Sequence, residues 1–212
     1  MMQMNGVVGG FYRISEWIMK LAYINLLWIL FTLAGLILFG FFPATASMLS
    51  VNRKLIMGEV DIPIFKTFLT TYKEEFLKCN VTGLAMVVVG YFLYLDLTLV
   101  SEASGIISLL YFPLLMIMLG FILTSFYVFP VIVHYDTKIL QAIKNAFFIM
   151  ILHPLSTIMM VAGTISIYFL LITIPGLIPI FCGSLFSFVI MWSALLAFSK
   201  IEKKQGEITH KP

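Results

Sequence analysis

Three side chains in the second half of this sequence are of the types that hold metals or move protons. His134, Asp136 and His153 offer two imidazoles and one carboxylate, the groups that bind zinc and exchange protons near neutral pH. Their spacing matches no zinc-site pattern, and His153 directly precedes Pro154, where a helix is predicted to begin. We therefore interpret them as boundary residues and expect no metal site and no cofactor.

The sequence also lacks the motifs of the common catalytic centres. It contains no G-x-x-x-x-G-K-[ST] phosphate loop, no H-E-x-x-H zinc helix and no G-x-S-x-G nucleophile turn. No other residues assemble a nucleophile with its base. We expect that the protein is not an enzyme, and we assign no catalytic residue.

A set of polar residues lies near the ends of long apolar runs, and we name it the outer polar cluster. Its members are Arg13, Glu16, Lys20, Asn25, Asp96 and Glu102. Polar groups at membrane depth are costly and mark functional sites. One interpretation is thus an outward-facing pocket for a solute or a partner. In that pocket, Asp96 or Glu102 would pair with Arg13 or Lys20. The alternative is the ordinary gathering of charged and aromatic residues at a bilayer surface.

A second candidate site is a docking surface that combines aromatic and basic side chains after the first apolar run. Its members are Pro43, Arg53, Lys54, Phe65, Phe68 and Tyr72. The three aromatic residues are spaced to share one face of a helix. The basic residues would face headgroups or a partner protein.

The composition decides what surrounds these residues. Hydrophobic residues make up 61% of the chain and charged residues 11%, and the mean hydropathy is +1.07. A soluble domain carries about 25% charged residues, so this chain cannot cover itself with a water-facing surface and its solvent is a lipid bilayer. The net charge of +3 comes from scattered basic residues, which excludes a nucleic-acid-binding surface.

Five apolar segments reach the length of about 20 residues that a membrane-crossing helix needs. They are residues 21–42, 81–100, 106–133, 155–175 and 177–199. The stretch IPGLIP joins the last two in a tight hairpin. We therefore predict an all-α fold, a polytopic membrane helical bundle that forms a single transmembrane domain over residues 1–200 with a cytoplasmic tail at 201–212.

The distribution of Lys and Arg predicts which way the bundle faces. With five crossings, the first loop, the third loop and the C-terminus share one side, and that side holds eleven Lys and Arg residues. The other side holds Arg13 and Lys20. Cytoplasmic segments carry the basic excess, so we expect the N-terminus outside and the C-terminus inside the cell.

The segment GFFPATASMLSVNRK (40–54) has two interpretations. The tripeptide ATA after Pro43 has the pattern of a signal-peptidase site, but the apolar run before it is too long for a signal peptide and cleavage would export the basic first loop. We favour the alternative, in which Pro43 bends the chain into a cytoplasmic amphipathic helix at 44–57, followed by another at 62–78. These helices lie either in the headgroup layer or packed beneath the bundle, and the sequence leaves both open.

Two Phe-Pro pairs predict a pseudo-repeat. Phe42-Pro43 follows the first predicted span, and Phe129-Pro130 lies at the end of the third. Each pair precedes a polar stretch and a returning span. Parallel repeats of this kind occur in transporters.

Four stretches carry a resemblance to a known family. They are GGFYRISEWIMKLAYINLLWIL, the pattern G-x-x-P-A-T-x-S/A from Gly40, the pattern F-K-T-F-x-x-x-Y-K-E-E-F from Phe65, and YVFPVIVHYDTKILQAIKNAFFIMILHP. Over nearly its whole length the chain resembles the YesL-like family of bacterial integral membrane proteins of unknown function. The resemblance implies about five spans in the bacterial cytoplasmic membrane and an association with carbohydrate uptake and breakdown. It brings no catalytic or ligand residues.

Two functions remain open from the sequence. The first is an accessory membrane component of carbohydrate uptake, whose partners are the lipid bilayer and an ABC-type sugar transporter or other membrane protein. The alternative is a small-solute transporter or channel in its own right, with Asn25, Asp96 and Glu102 as its polar lining.

Overall fold

The computed structural model of the chain describes the backbone of residues 7–59, 61–103 and 105–209. Within these ranges it describes all side chains except those of residues 7–9, 11, 106, 107 and 204–209. The described chain is helical and contains no strand. Its α-helices are α1 (Val7–Ala34), α2 (Leu38–Ile56), α3 (Ile64–Glu74), α4 (Phe76–Glu102), α5 (Tyr111–Tyr135), α6 (Ile139–Leu152), α7 (Pro154–Thr173) and α8 (Ile178–Thr209).

Five helical stretches are long and apolar enough to cross a membrane. They are Tyr12–Ala34, Phe76–Glu102, Ser108–Tyr135, Pro154–Thr173 and Pro175–Lys203. The predicted all-α membrane bundle with five spanning helices is therefore confirmed. Helix α8 continues to Thr209, so the predicted tail at 201–212 begins as helix, and residues 210–212 lie outside the described residues.

The first predicted span, residues 21–42, is divided between two helices. Helix α1 ends at Ala34, the chain reverses over residues 35–37, and α2 begins at Leu38. Leu36 and Ile37 have φ values of 56° and 65°, in the left-handed region that non-glycine residues rarely adopt. The prediction that this span ends at Pro43 is wrong, because the turn, and not the proline, ends the helix.

Two glycines bring α1 and α2 together beside this turn. A Cβ on Gly35 would overlap the Cα of Gly40, and a Cβ on Gly40 would overlap the carbonyl of Thr32. Only glycine fits at either position. Farther from the turn, Trp28 Nε1 donates a hydrogen bond to Thr45 Oγ1 at 3.1 Å, so the two helices form an antiparallel hairpin.

Pro43 lies inside α2 and is buried. It has no N–H, so the carbonyl of Phe39, one turn earlier, has no backbone partner from that position. The side-chain amide of Asn80, near the start of α4, donates to this carbonyl at 3.0 Å. The helix therefore continues through the proline, with its freed acceptor satisfied by another helix.

Helix α2 is the central helix of the bundle. Eleven of its nineteen residues are buried, and α1, α3, α4, α5 and α8 all pack against it. The predicted amphipathic helix at 44–57 is therefore wrong as a surface helix, because Ser47 and Ser50 of its polar face are buried too. Such small polar residues let helices approach closely and form hydrogen bonds inside a membrane bundle.

Helix α3 is shorter than the predicted helix at 62–78. It covers Ile64–Glu74, the helix is interrupted at Glu75, and α4 begins at Phe76. Phe68 is fully buried, in a core that α3 shares with α1 and α2. Of the two interpretations of this segment, the structure has the one in which the helix packs against the bundle.

Two further pairs of helices form antiparallel hairpins. Helices α4 and α5 are joined through the short 3-10 helix Gly105–Leu110, and Lys78 of α4 pairs with Asp136, which follows α5. Helices α7 and α8 are joined at Pro175–Leu177, within the predicted IPGLIP turn. The turn residues of the sequence therefore mark this connection correctly.

The two Phe-Pro pairs meet inside the bundle. The rings of Phe42 and Phe129 stack with centroids 6.0 Å apart and planes 10° apart. Pro43 and Pro130 are both inside helices and buried, so neither marks the end of a span as predicted. The order long helix, short helix, long helix occurs twice, as α2–α3–α4 and α5–α6–α7, with α2 in the place predicted for the first span.

Candidate functional site

The charged members of the outer polar cluster are spread over α1 and α4. Glu16 and Lys20 form an ion pair one helical turn apart, at 2.6 Å. Asp96 and Glu102 are exposed on α4. Within the described part of the chain, no ion pair joins either of them to Arg13 or Lys20. The described residues thus do not form the predicted pairing between the two spans.

Asn25, the uncharged member of this cluster, joins α1 to α8. Its side chain is almost fully buried. Its Nδ2 donates to the carbonyl of Pro179 at 2.9 Å, and its Oδ1 accepts from the N–H of Ser184 at 3.2 Å. Gly183 lies directly against Asn25 and Trp28, so the helices approach closely at this point. Both polar atoms of the amide bind the backbone of another helix, so Asn25 stabilises the contact between α1 and α8.

Other polar side chains in the interior also connect helices. Asn52 donates through Nδ2 to Ser187 Oγ, which joins α2 to α8. The hydroxyls of Tyr127 and Thr157 share a hydrogen bond of 3.1 Å, which joins α5 to α7. Because lipid offers no hydrogen bonds, polar side chains within a bundle satisfy one another across helices. These contacts assign Asn52, Tyr127 and Thr157 to helix–helix contacts of the bundle, while Asn52 Oδ1 has no hydrogen-bond partner among the described residues.

The first and third loops meet at one end of the bundle. Lys78 Nζ lies 3.2 Å from Asp136 Oδ1. Arg53, at the end of α2, donates through Nη1 to the carbonyl of Val133 at 2.6 Å. The ends of α2 and α5 and the start of α4 are therefore held together by basic side chains.

The C-terminal segment joins the same end of the bundle. His134 Nε2 lies 3.0 Å from Glu202 Oε1 on α8. His134 and Asp136 thus each face an ionisable partner from another segment. Among the described residues, no group of three His, Cys, Asp or Glu side chains is placed to hold a metal ion. The first loop, the third loop and the C-terminal segment therefore contact one another. These are the three segments that five crossings would place on one side of the membrane.

The predicted docking surface is only partly accessible. Pro43 and Phe68 are buried inside the bundle. Arg53 is half-buried, and its guanidinium donates to the carbonyl of Val133 on α5. Phe65 is 49% exposed, and Lys54 is half-buried at the edge of a cleft. The burial of Pro43 and Phe68 corrects the prediction that all six residues face a partner, because their side chains fill the core around α2.

Tyr72 has a structural contact of its own. Its hydroxyl donates to the carbonyl of Phe31, near the end of α1, at 3.2 Å. Burial raises the pKa of the Tyr72 phenol from its usual 10.0. The hydroxyl therefore stays protonated at physiological pH and continues to donate to α1.

A polar cleft lies between the end of α2 and α3, and we name it the α2–α3 cleft. Its volume is about 570 Å³. Five charged side chains line it: Lys54, Glu59, Asp61, Lys66 and Glu74. Four hydroxyl side chains complete the polar lining: Ser50, Thr67, Thr70 and Thr71. No ion pair among the described residues involves any of the five charged side chains.

This lining can donate and accept hydrogen bonds at many points. Ammonium groups donate, carboxylates accept, and hydroxyls do both, so the cleft is suited to a polar, charged surface. Among these residues, only Lys54 belongs to the predicted docking surface. The signal was available: Thr67, Thr70, Thr71 and Glu74 recur at spacings of three and four residues and so share one face of α3.

Known proteins are similar to this chain over nearly its whole length. Residues 21–97 match a family model described as "Protein of unknown function, DUF624". Three proteins of Bacillus subtilis (strain 168) are also similar. "Uncharacterized protein YteU" is 37% identical over 97% of this chain and 93% of its own length. "Uncharacterized protein YesL" is 34% identical over 97% of both chains.

The third relative gives the same result. "Uncharacterized protein YesV" is 40% identical over 95% of this chain and 97% of its own length. No solved structure matches the chain significantly. The matched residues 21–97 run from α1 into α4 and contain the glycine turn, Pro43 and the α2–α3 cleft. The chain therefore belongs to the YesL-like family of unknown function, DUF624.

Proposed function

We propose that this protein is an accessory component of the bacterial cytoplasmic membrane that works with a carbohydrate-uptake system through protein contacts. The α2–α3 cleft is the contact site in this proposal. The observation that carries it is the lining of the cleft by five charged side chains that make no ion pair among the described residues. Charges left without a partner inside one chain are suited to complementary charges on another.

The interior of the bundle favours this function over solute transport. A transport path needs polar groups that are free to bind a solute. Asn25 and Asn52 instead bind α8 through their amides, and Asp96 is exposed on α4. Of the three residues first considered as a polar lining, Asn25 therefore supports an assembled scaffold.

The charged lining of the cleft indicates the kind of partner that it binds, and the distribution of Lys and Arg predicts the side of the membrane on which it lies. The cleft carries both signs of charge, so it fits a polar loop or subunit of a sugar permease or of its ATPase. From the basic excess we infer that the end formed by Lys78 and Arg53 lies in the cytoplasm, with the N-terminus outside and the C-terminus inside. An impermeant thiol reagent applied to intact cells should therefore fail to label Lys138→Cys and should label it in opened cells.

Photocrosslinking in native membranes tests the contact. A photoreactive amino acid replaces Thr70, an exposed residue of the cleft. The cells grow on the sugar that the proposed uptake system takes up. Thr98 is the matched control, because it is an exposed threonine on α4, away from the cleft. We expect a crosslink to a permease or ATPase subunit from position 70 and none from position 98.

Two results would count against the proposal. Crosslinks from position 70 only to copies of this chain would remove the partner. Solute uptake by the purified protein in liposomes, lost in Asp96→Asn, would instead support a transporter.

A further inference from the structure

A long apolar groove opens on the side of the bundle between α4, α5 and α6. Helix α5 packs against both of the others and forms the floor, while α4 and α6 form the walls. The groove has a volume of about 930 Å³. On the floor, a Cβ added to Gly120 would meet no atom within 4 Å, so the groove is open down to the backbone of α5.

The walls of this groove are apolar almost throughout. Val89 and Leu93 line it from α4, Met116 and Ile117 from α5, and Ile143 and Phe147 from α6. The hydroxyl of Thr124 also lies in the lining, but it donates to the carbonyl of Gly120 in its own helix at 2.7 Å. The groove therefore has the polarity of a hydrocarbon chain along most of its length.

One charged side chain, Lys144 on α6, stands in the lining. It is exposed, and no carboxylate lies within 4.0 Å of its Nζ among the described residues. The ammonium lies 6.0 Å from the centre of the Phe148 ring, at the outer limit of a cation–π contact. Among the described residues, this charge therefore has no anionic partner.

Lys144 lies in the second turn of α6, close to one end of the bundle. Helix α6 begins at Ile139, directly after the end of the bundle where Lys78 meets Asp136. Five residues of helix rise about 8 Å, and a lysine side chain extends toward the headgroups from such a depth. The apolar part of the groove continues from there along α5 into the spanning region.

We propose that this groove binds an anionic phospholipid, with an acyl chain along α5 and the phosphate paired to Lys144. The groove lies between helices that face the bilayer, so lipid reaches it without leaving the membrane. Basic pockets between membrane helices are where anionic headgroups bind. A partner helix of apolar composition would leave Lys144 without a counter-charge, whereas an anionic lipid satisfies both the charge and the apolar walls.

Native mass spectrometry of the full-length protein tests this assignment. The protein is supplied with phosphatidylglycerol and phosphatidylcholine of identical acyl chains, and retained lipid is counted. We expect phosphatidylglycerol to be retained over phosphatidylcholine by about fivefold, the effect of one lysine near a headgroup. Lys144→Gln should remove this preference, while Lys200→Gln, an exposed lysine on α8, should keep it.

Filling the groove provides a second measurement. Gly120→Leu places a side chain on the open floor, where its Cβ meets no atom within 4 Å, so the fold should be kept and retention of both lipids should fall. An unchanged preference in Lys144→Gln would overturn the proposal. If the unmodified protein proves to be a dimer, a Gly120→Leu protein that keeps its lipids but is a monomer would also overturn it, since the groove would then hold a second copy of the chain.

Discussion

The side-chain amide of Asn80 takes the place of the backbone N–H that Pro43 lacks. It donates to the carbonyl of Phe39 at 3.0 Å, the bond that residue 43 would make in an unbroken helix, and to the carbonyl of Phe76 in its own helix at 2.9 Å. A proline in a buried helix costs about 3 kcal/mol or more when its carbonyl partner is left unsatisfied. Helix α2 therefore depends on α4 for its continuity.

A double-mutant cycle measures this dependence. Asn80→Ala should lower the free energy of unfolding in detergent micelles by about 1 kcal/mol, because the carbonyl of Phe39 loses its donor. In a Pro43→Ala background the restored N–H can reach Phe39, so the same substitution should cost less. Equal costs in the two backgrounds would show that Asn80 does not compensate for the proline.

Replacement of Asn25 separates a structural role from a role in transport. Asn25→Ala should lower the free energy of unfolding by about 2 kcal/mol, since two hydrogen bonds to α8 are lost. Thr98→Ala is the control, because the Thr98 hydroxyl is exposed and bonds only within α4. Unchanged stability together with altered solute flux in liposomes would return Asn25 to the transport interpretation.

The turn between α1 and α2 should tolerate no side chain at Gly35. Gly35→Ala places a methyl group into the Cα of Gly40, and forced overpacking of this kind costs about 3 kcal/mol or more. We expect loss of the folded protein in membrane extracts, seen as aggregation in size-exclusion chromatography. Gly10→Ala meets no atom within 4 Å and should elute like the unmodified protein.

The raised pKa of Tyr72 predicts how stability changes with pH. Burial raises the phenol pKa above its usual 10.0 in the folded protein, so above pH 10 the unfolded chain loses this proton first. The contribution of Tyr72 is therefore complete below pH 10 and falls as the pH rises through the folded-state value. The difference in unfolding free energy between the unmodified protein and Tyr72→Phe should be constant at neutral pH and shrink above pH 10. A constant difference up to pH 12 would contradict this.

The spanning helices could be predicted from sequence because lipid imposes length and composition on each segment separately. The IPGLIP turn could also be predicted from local residues, since proline restricts the backbone and glycine allows conformations that other residues avoid. The turn at residues 35–37 was not predictable in this way. Leu36 and Ile37 are apolar residues within a continuous apolar run, and their left-handed backbone is imposed by the packing of α1 on α2.

The prediction that Pro43 ends the first span was wrong for a related reason. A proline after a long apolar run indicates a helix boundary when only local residues are considered. Here the missing hydrogen bond is supplied by Asn80, far along the chain, and no local pattern contains that information. Burial of the polar face of α2 has the same origin, because Asn52 finds its partner at Ser187 on the last helix.

The candidate site was predictable only in part. Lys54 and Phe65 stood out by charge and aromatic character, and both are accessible. The charged lining of the α2–α3 cleft includes Glu59 and Asp61, which lie in the connection after α2. Their contribution depends on how α3 folds back against α2, and the spacing of residues along one helix does not report it.

The contact of Asn25 with Pro179 has a consequence for biogenesis. The two residues are 154 positions apart, so α1 enters the membrane long before α8 has left the ribosome. During that interval the amide of Asn25 lies at membrane depth without its native partner, a costly state in hydrocarbon. The bundle is thus closed by its last helix, and a nascent chain truncated before α8 should be held by insertion factors or removed by membrane proteases.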